Sequence, residues 1–287
     1  MAGTGPRRRE VVTADRVRID GGLVRRPAYP WTATVHDLLR HLHASGLVVP
    51  EPVGVDVSAP ASDGASIGVE TVRFVPGVSG GDAWRLQATD EGLRSAARLL
   101  RRVHDATRSW TPPPDAVWAV PSTPSGTVCH GDPGPWNMVW RDGEAVGLID
   151  WDLARPAPAL DDVAYALDYL APLRSDEDCV RWHGFDVPPD RRARVRIFLE
   201  AYGTDAYGTD AYGTDAYGTD AYGIDPAGIV DAILARRRAT IVELRDLAAR
   251  GVEPQHTWVA EGFVPAAERH LAWSEANRGL LEPVPPA

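Results

Sequence analysis

Between His130 and Asp152 the chain reads HGDPGPWNMVWRDGEAVGLIDWD, which brings carboxylates, an amide and an imidazole together at short offsets. Moving a phosphoryl group from a nucleotide to a hydroxyl needs a group that orients and deprotonates the acceptor, and hard oxygen ligands that hold magnesium on the phosphates. Asp132, Asn137 and Asp150 are residue types suited to those roles. Asp132 follows a short strand-like run and lies in a loop with His130 and Gly131, and Asn137 opens the next strand. Asp142-Gly143 is a hairpin turn between strands 138–140 and 145–149. Two antiparallel crossings return the chain to where it started, so Asp150 emerges at the same end of the sheet as Asp132. Taken singly, Asp132 and Asp142 read as turn aspartates and Asp150 as a strand-end cap. Spaced together, Asp132, Asn137 and Asp150 converge on one site.

The pattern resembles the aminoglycoside phosphotransferase family, relatives of the protein kinases. Its signature HGDxxxxN, followed by a strand and IDW-D/E, is matched by His130-Gly131-Asp132, Asn137 and Ile149-Asp150-Trp151-Asp152. The resemblance implies that Asp132 is the catalytic base, that Asn137 and Asp150 ligate Mg2+, and that His130 braces the loop. It leaves Asp152 to ligate metal or to meet substrate. It also implies a two-lobed, kinase-like α+β fold, ATP or another nucleoside triphosphate as donor, and a hydroxylated small molecule as acceptor. Two further stretches look like family segments, LDDVAYAL around Asp162 and RLLRRVHDAT from Arg98 to Thr107. There Asp162 reads as a helix cap and His104 as a packed structural histidine.

The nucleotide half departs from that pattern. Kinase-like sites hold the phosphates with a strand lysine, backed by a helix glutamate, under a glycine-rich loop. All 30 basic residues of this chain are arginine. In LVRRP, Arg25 is the first positional substitute and Arg26 the second, and strand alternation turns only one of them toward the nucleotide. Arginine can grip phosphate bidentately, so the role survives the exchange. The helix that follows has no glutamate, which leaves Asp37 and His36 as partners for the arginine. The segment PRRREVVTADRV before the hairpin lacks a glycine-rich loop, and Arg8 and Arg9 read as a basic tail. Phe74 to Gly77 would supply main chain for an adenine hinge. These departures motivate a second reading, a catalytically weak or inactive kinase-like protein that binds nucleotide or ligand. A metal-dependent phosphohydrolase would use the same acids but leaves the hinge and small lobe without a role.

The elements that must position these residues divide the chain into an N-lobe over 1–77 and a C-lobe over 78–287. A hairpin spans Arg16 to Arg26, a helix with Val35, Leu38, Leu39 and Leu42 on one stripe follows, and Ile67 to Val75 alternates as a strand. A long helix starts after Thr89, with Asp90 and Glu91 in its first turn. Beyond Asp162 the pattern is helical over 162–170, 191–202, 226–250 and 266–278.

Residues 201–225 repeat AYGTD four times and end with AYGID. A period of five carries the tyrosines around a helix and alternates them on a strand, so neither gains one buried face. The stretch reads as a tandem duplication inserted in a loop. The net charge of −10 disfavours nucleic acid and anionic membrane as partners and suits a cationic acceptor, but four repeat aspartates account for part of it. Asp176, Glu177, Asp178 and Asp186 form an acidic stretch that suits a polyamine or reads as a solvated loop. No apolar run could span a bilayer, and the arginine-led N-terminus lacks a signal-peptide core, which places the chain in the cytoplasm with Cys129 and Cys179 reduced.

Overall fold

The computed structural model describes residues 16–59, 63–203 and 224–282. The tail containing Arg8 and Arg9, and the repeats beyond Gly203 up to Gly223, lie outside the described residues. The N-terminal lobe is an antiparallel sheet in the order β1-β2-β4-β3, from β1 (Arg18–Asp20), β2 (Leu23–Ala28), β3 (Pro52–Asp56) and β4 (Gly68–Arg73). β2 pairs with β4 along its whole length, which sets Arg25 opposite Thr71 and Arg26 opposite Glu70. Helix α1 (Thr32–Ala44) buries the predicted stripe of Val35, Leu38, Leu39 and Leu42. That spacing keeps one face of a helix toward the core.

The C-terminal lobe opens with a 3-10 helix, Gly80–Ala88, that no periodicity announced. Helix α2 (Asp90–Thr107) then begins at Thr89, whose hydroxyl accepts from the Gly92 N–H. Two short pairings follow. β5 (Val128–Cys129) pairs with β8 (Arg155–Pro156), and β6 (Met138–Arg141) forms a hairpin with β7 (Glu144–Leu148). The turn residues Asp142 and Gly143 both have positive φ, 52° and 83°, the geometry of a two-residue hairpin turn. Helices α3 (Ala159–Leu170), α4 (Asp176–Trp182), α5 (Arg191–Tyr202), α6 (Ile229–Ala249), α7 (Gln255–Ala260) and α8 (Phe263–Ala276) complete the lobe. α2 packs against α5 and β7, and α3 against α6.

One apolar core runs through both lobes, with Leu38 and Leu42 of α1, Leu100 and Val103 of α2, Trp140 of β6 and Leu148 of β7 in the same cluster. Backbone stitches reinforce it. Val78 and Trp140 exchange both N–H donors, and the Leu148 N–H donates to the Val48 carbonyl. At Gly77 the chain passes so close to β6 that a Cβ would sit 2.4 Å from the Val139 side chain. Among the described residues, no helix is long and apolar enough to cross a membrane.

The acidic stretch corrects one expectation. Ser175 accepts from the Asp178 N–H and starts α4, so Asp176, Glu177 and Asp178 sit in the first turn of a helix and not in a loop. Negative charge is favourable there because the first amides of a helix are unpaired. Asp176 meets Arg191 at 2.7 Å and Asp186 meets Arg85 at 3.0 Å. Two of the charges that could face a polyamine are therefore turned to arginines of the chain itself.

Candidate active site

The register Cys129↔Arg155 lays the loop that begins at His130 beside the segment that follows Asp150. The crossing is tight. Gly131 has φ 86°, and a Cβ there would lie 2.2 Å from the Leu153 carbonyl oxygen. Glycine is the residue that fits both the backbone angle and the gap.

A buried carboxylate anchors this loop. Asp162 accepts the His130 N–H at 2.6 Å and the Gly131 N–H at 2.8 Å. Its third partner is His104 Nε2 at 3.1 Å, and the other ring nitrogen of His104 meets the Tyr202 hydroxyl at 2.6 Å. Burial opposes the Asp162 charge, yet the His104 contact, the nearby His130 and the Gly131 amide hold the carboxyl below the usual carboxylate range. Asp162 thus does not cap its own helix, where Pro158 holds the cap position. His104 is packed as expected and has the added task of holding Asp162. His104, Cys129 and Asp162 lie close enough to suggest a metal cluster. Burial and the neighbouring aspartates raise the Cys129 thiol well above its ordinary value, and the Asp162 oxygens are taken by backbone amides. His104 and Asp162 are bonded to each other, and the Cys129 thiol donates to the Ala157 and Pro158 carbonyls.

His130 links the two halves of the signature. Its Nδ1 accepts the Asp132 N–H at 3.2 Å, which assigns the ring proton to Nε2, and Nε2 donates to the Ile149 carbonyl at 3.0 Å. Burial keeps the ring pKa below its ordinary value, so a neutral imidazole ties Asp132 to the residue before Asp150. Asn137 Nδ2 donates to Asp132 Oδ2 at 2.9 Å and to its carbonyl at 3.0 Å, which leaves Oδ1 as the atom for a metal. Asp132 also meets the Tyr165 hydroxyl, whose pKa burial and the Asp132 charge push well above the usual phenol value. Tyr165 is therefore a neutral donor to this carboxylate.

Asp150 and Asp152 face the N-terminal lobe. Asp150 is half exposed and has φ 63°, a left-handed backbone that non-glycine residues adopt at a cost. Arg26 reaches across the cleft to both. Its Nη1 donates to Asp150 Oδ1 at 2.6 Å, and its Nη1 and Nη2 each donate to Asp152 at 3.1 Å. Burial, added to the charges of Asp150 and Glu70, pushes Asp152 up to about 7 against the pull of Arg26.

The order of the two arginines is a correction. Arg25, the first substitute from sequence, is exposed on the far face of β2, and Arg26 points into the cleft. Only one could do so, and Ala28, which shares its face of the strand with Arg26, is fully buried. The partner of the arginine also differs from expectation. Asp37 is exposed and pairs with Arg40 on its own helix. Glu70 of β4, 1% exposed, contacts Arg26 Nε at 2.5 Å and His36 Nε2 at 2.7 Å. Burial works against its charge, but Arg26 and His36 hold it below the usual carboxylate range. Glu70 was missed by sequence reasoning. Its signal was a charge at an alternation position shared with Gly68 and Val72, the buried face of the strand. At the hinge, Phe74 has an exposed side chain, and its own N–H donates to Gly22.

Beside Asp132 its loop meets a group of aromatic rings. Tyr165 packs on Tyr169 at 5.2 Å, Tyr169 stands perpendicular to Trp136 at 4.6 Å, and Trp84 lies 5.0 Å from Trp136. Trp136 belongs to the same loop as Asp132, whereas Trp84 comes from the 3-10 helix and the tyrosines from α3. Trp84, Trp136 and Tyr169 are each partly exposed.

A sequence profile of the phosphotransferase enzyme family matches residues 16–117 and 115–208, which contain every residue of the site described above. The chain belongs to this family. The trifolitoxin immunity protein of Rhizobium leguminosarum bv. trifolii is 37% identical over 191 residues, covering 64% of this chain and 68% of that protein. Among solved structures, a microcompartment-associated aminopropanol kinase superposes with a TM-score of 0.55 at 13% identity, over 90% of this chain and 86% of that one. A thermostable mutant of the aminoglycoside phosphotransferase APH(4)-Ia does so with a TM-score of 0.53 at 13% identity, over 91% and 88%. At these identities the two structures speak for the two-lobed kinase-like fold. This chain is a phosphotransferase of that family, and none of its residues is lysine.

Proposed function

We propose that the chain transfers the γ-phosphate of ATP, with Mg2+, to a hydroxyl of a small molecule in the cytoplasm. The observation that carries this reading is the tie, made through His130, from Asp132 and its partner Asn137 to Ile149, the residue before Asp150. Asp132 acts as the base toward the acceptor hydroxyl, and Asn137 Oδ1 and Asp150 hold the metal. Three carboxylates surround the single guanidinium of Arg26, and with Asp152 pushed up to about 7 the excess is between one and two negative charges. Hard oxygen donors with that excess fit a divalent cation, so the residues present suit magnesium. Bound there, the metal would neutralise charge on the transferring phosphates. Arg26 takes the phosphates, with Asp152 within hydrogen-bond reach of its terminal nitrogens. With the Phe74 N–H already used, Val75 is the next main-chain donor for the nucleotide base. On this reading residues 1–77 form the nucleotide half and 78–287 the catalytic and acceptor half, with the acceptor lying along the aromatic rings beside Asp132.

The relative named as an immunity protein supports an acceptor of the antibiotic or toxin type. It equally favours a second reading, protection by binding without turnover, to which the direct grip of Arg26 on Asp150 and Asp152 also lends support. ATP consumption measured against a panel of hydroxylated antibiotics and amino alcohols separates the two. Turnover with at least one compound, lowered about 10²- to 10⁴-fold by Asp132→Asn, is the expected result. Binding of nucleotide and compound with no turnover across the panel would refute the enzyme reading.

A further inference from the structure

We infer that Glu70, with His36 behind it, is the positioning pair that aims Arg26 at the phosphates, so that a strand carboxylate does what kinase-like sites ask of a helix glutamate. The inference rests on the phosphotransferase reading and adds to it the residues that set the nucleotide grip. The register comes first. Arg26 and Glu70 are directly opposed on neighbouring antiparallel strands, so their side chains leave the sheet on the same face. One Glu70 oxygen contacts Arg26 at Nε, 2.5 Å away, and the other meets His36 Nε2 at 2.7 Å. Holding a guanidinium at Nε leaves its two terminal nitrogens as a fork pointing away from the holder. That fork is what reaches Asp150 and Asp152 across the cleft.

His36 completes the device from α1, the helix that lacks any glutamate. It is 3% exposed and fixes the plane of the carboxylate from the side opposite to Arg26. Glu70 therefore has one partner that steadies it and one that it steers. A cation–carboxylate pair placed only for packing would have no reason to leave the fork facing a half-exposed carboxylate at a cleft. The identities of the pair also differ in their consequences. Without a clamp at Nε the long Arg26 side chain would sample many rotamers at a cost in binding.

The test is a double-substitution cycle on the full chain, read by calorimetric affinity for MgATP and by the KM for ATP against the KM for the acceptor. Glu70→Gln keeps shape and removes charge. It is expected to weaken MgATP binding and raise the ATP KM about tenfold or more, with the acceptor KM within about twofold. In an Arg26→Gln background, Glu70→Gln is expected to add no more than about twofold, because its effect passes through the arginine. The pair His36→Glu, Glu70→Gln moves the carboxylate from strand to helix and is expected to recover part of the loss. Multiplying effects in the cycle, or an unchanged ATP KM in Glu70→Gln, would overturn the inference. If Glu70→Gln does not fold, Glu70→Asp and His36→Gln test the same point by displacing the carboxylate, and equal effects on ATP and acceptor KM would count against it. The affinity cycle needs no turnover, so a protein that never transfers phosphate defeats the phosphotransferase reading while the coupling of Arg26 to Glu70 is still measured.

Discussion

Replacing Asp162 by asparagine tests how the catalytic loop is held. The carboxylate takes the His130 N–H at 2.6 Å, the Gly131 N–H at 2.8 Å and His104 Nε2 at 3.1 Å, all out of contact with water. An asparagine amide can accept at one oxygen only and presents N–H bonds to whichever donors face its nitrogen. One charge-assisted bond worth about 1.5–3 kcal/mol is lost, and one buried N–H is left unsatisfied at about 1–3 kcal/mol. Together these give about 2.5–6 kcal/mol, a span that contains the loss seen when one partner of a buried charge pair is removed. For a chain of this size the melting temperature should fall by roughly 5–18 °C. The pH dependence follows from the sign of the shift. The folded-state carboxyl lies below its usual range, so its stabilisation is present above the unfolded value, about 4, and is lost as pH falls through the folded value. Thermal melts of both proteins at pH 7 and at stepped pH below 4 check this. The gap should be full at neutral pH and close in acid. A gap under about 0.5 kcal/mol at pH 7, the size of an ordinary surface change, would refute the anchoring role.

Gly131→Ala should cost at least as much kcat as stability, because the added methyl would meet the Leu153 carbonyl at 2.2 Å and displace the Asp132 loop; melts and single-turnover rates check it, and near-normal turnover would argue against the crossing. Arg25→Gln, on the exposed face of β2, should change stability by less than about 0.5 kcal/mol and leave the ATP KM alone, whereas Arg26→Gln should raise that KM at least tenfold. Trp136→Ala removes the central ring of the aromatic group and should raise the acceptor KM with little change in the ATP KM, measured by varying each substrate in turn.

The chain's own order of residues made much of both lobes legible. The hairpin at Asp142-Gly143, the Thr89 cap and the stripe of α1 are local features, written in residues a few positions apart, and each appears where its pattern put it. The offsets from Asp132 to Asn137 and Asp150 were readable for the same reason, since one strand and one hairpin separate them and their geometry is fixed by short-range rules. The α4 helix and the 3-10 turn at Gly80–Ala88 were not, because short elements draw their stability from what they pack against.

The segment from His130 to Asp152 therefore pointed to phosphoryl transfer from sequence alone, as far as residue types and local spacing can. Which arginine enters the cleft, which carboxylate holds it, and that Asp162 anchors a loop 31 residues before it were decided by the tertiary structure. Strand alternation told that one of Arg25 and Arg26 must face inward, but only the pairing of β2 with β4 put Glu70 opposite Arg26. The physical reason is that burying a charge is costly unless a partner arrives, and that partner is chosen by proximity in space and not along the chain.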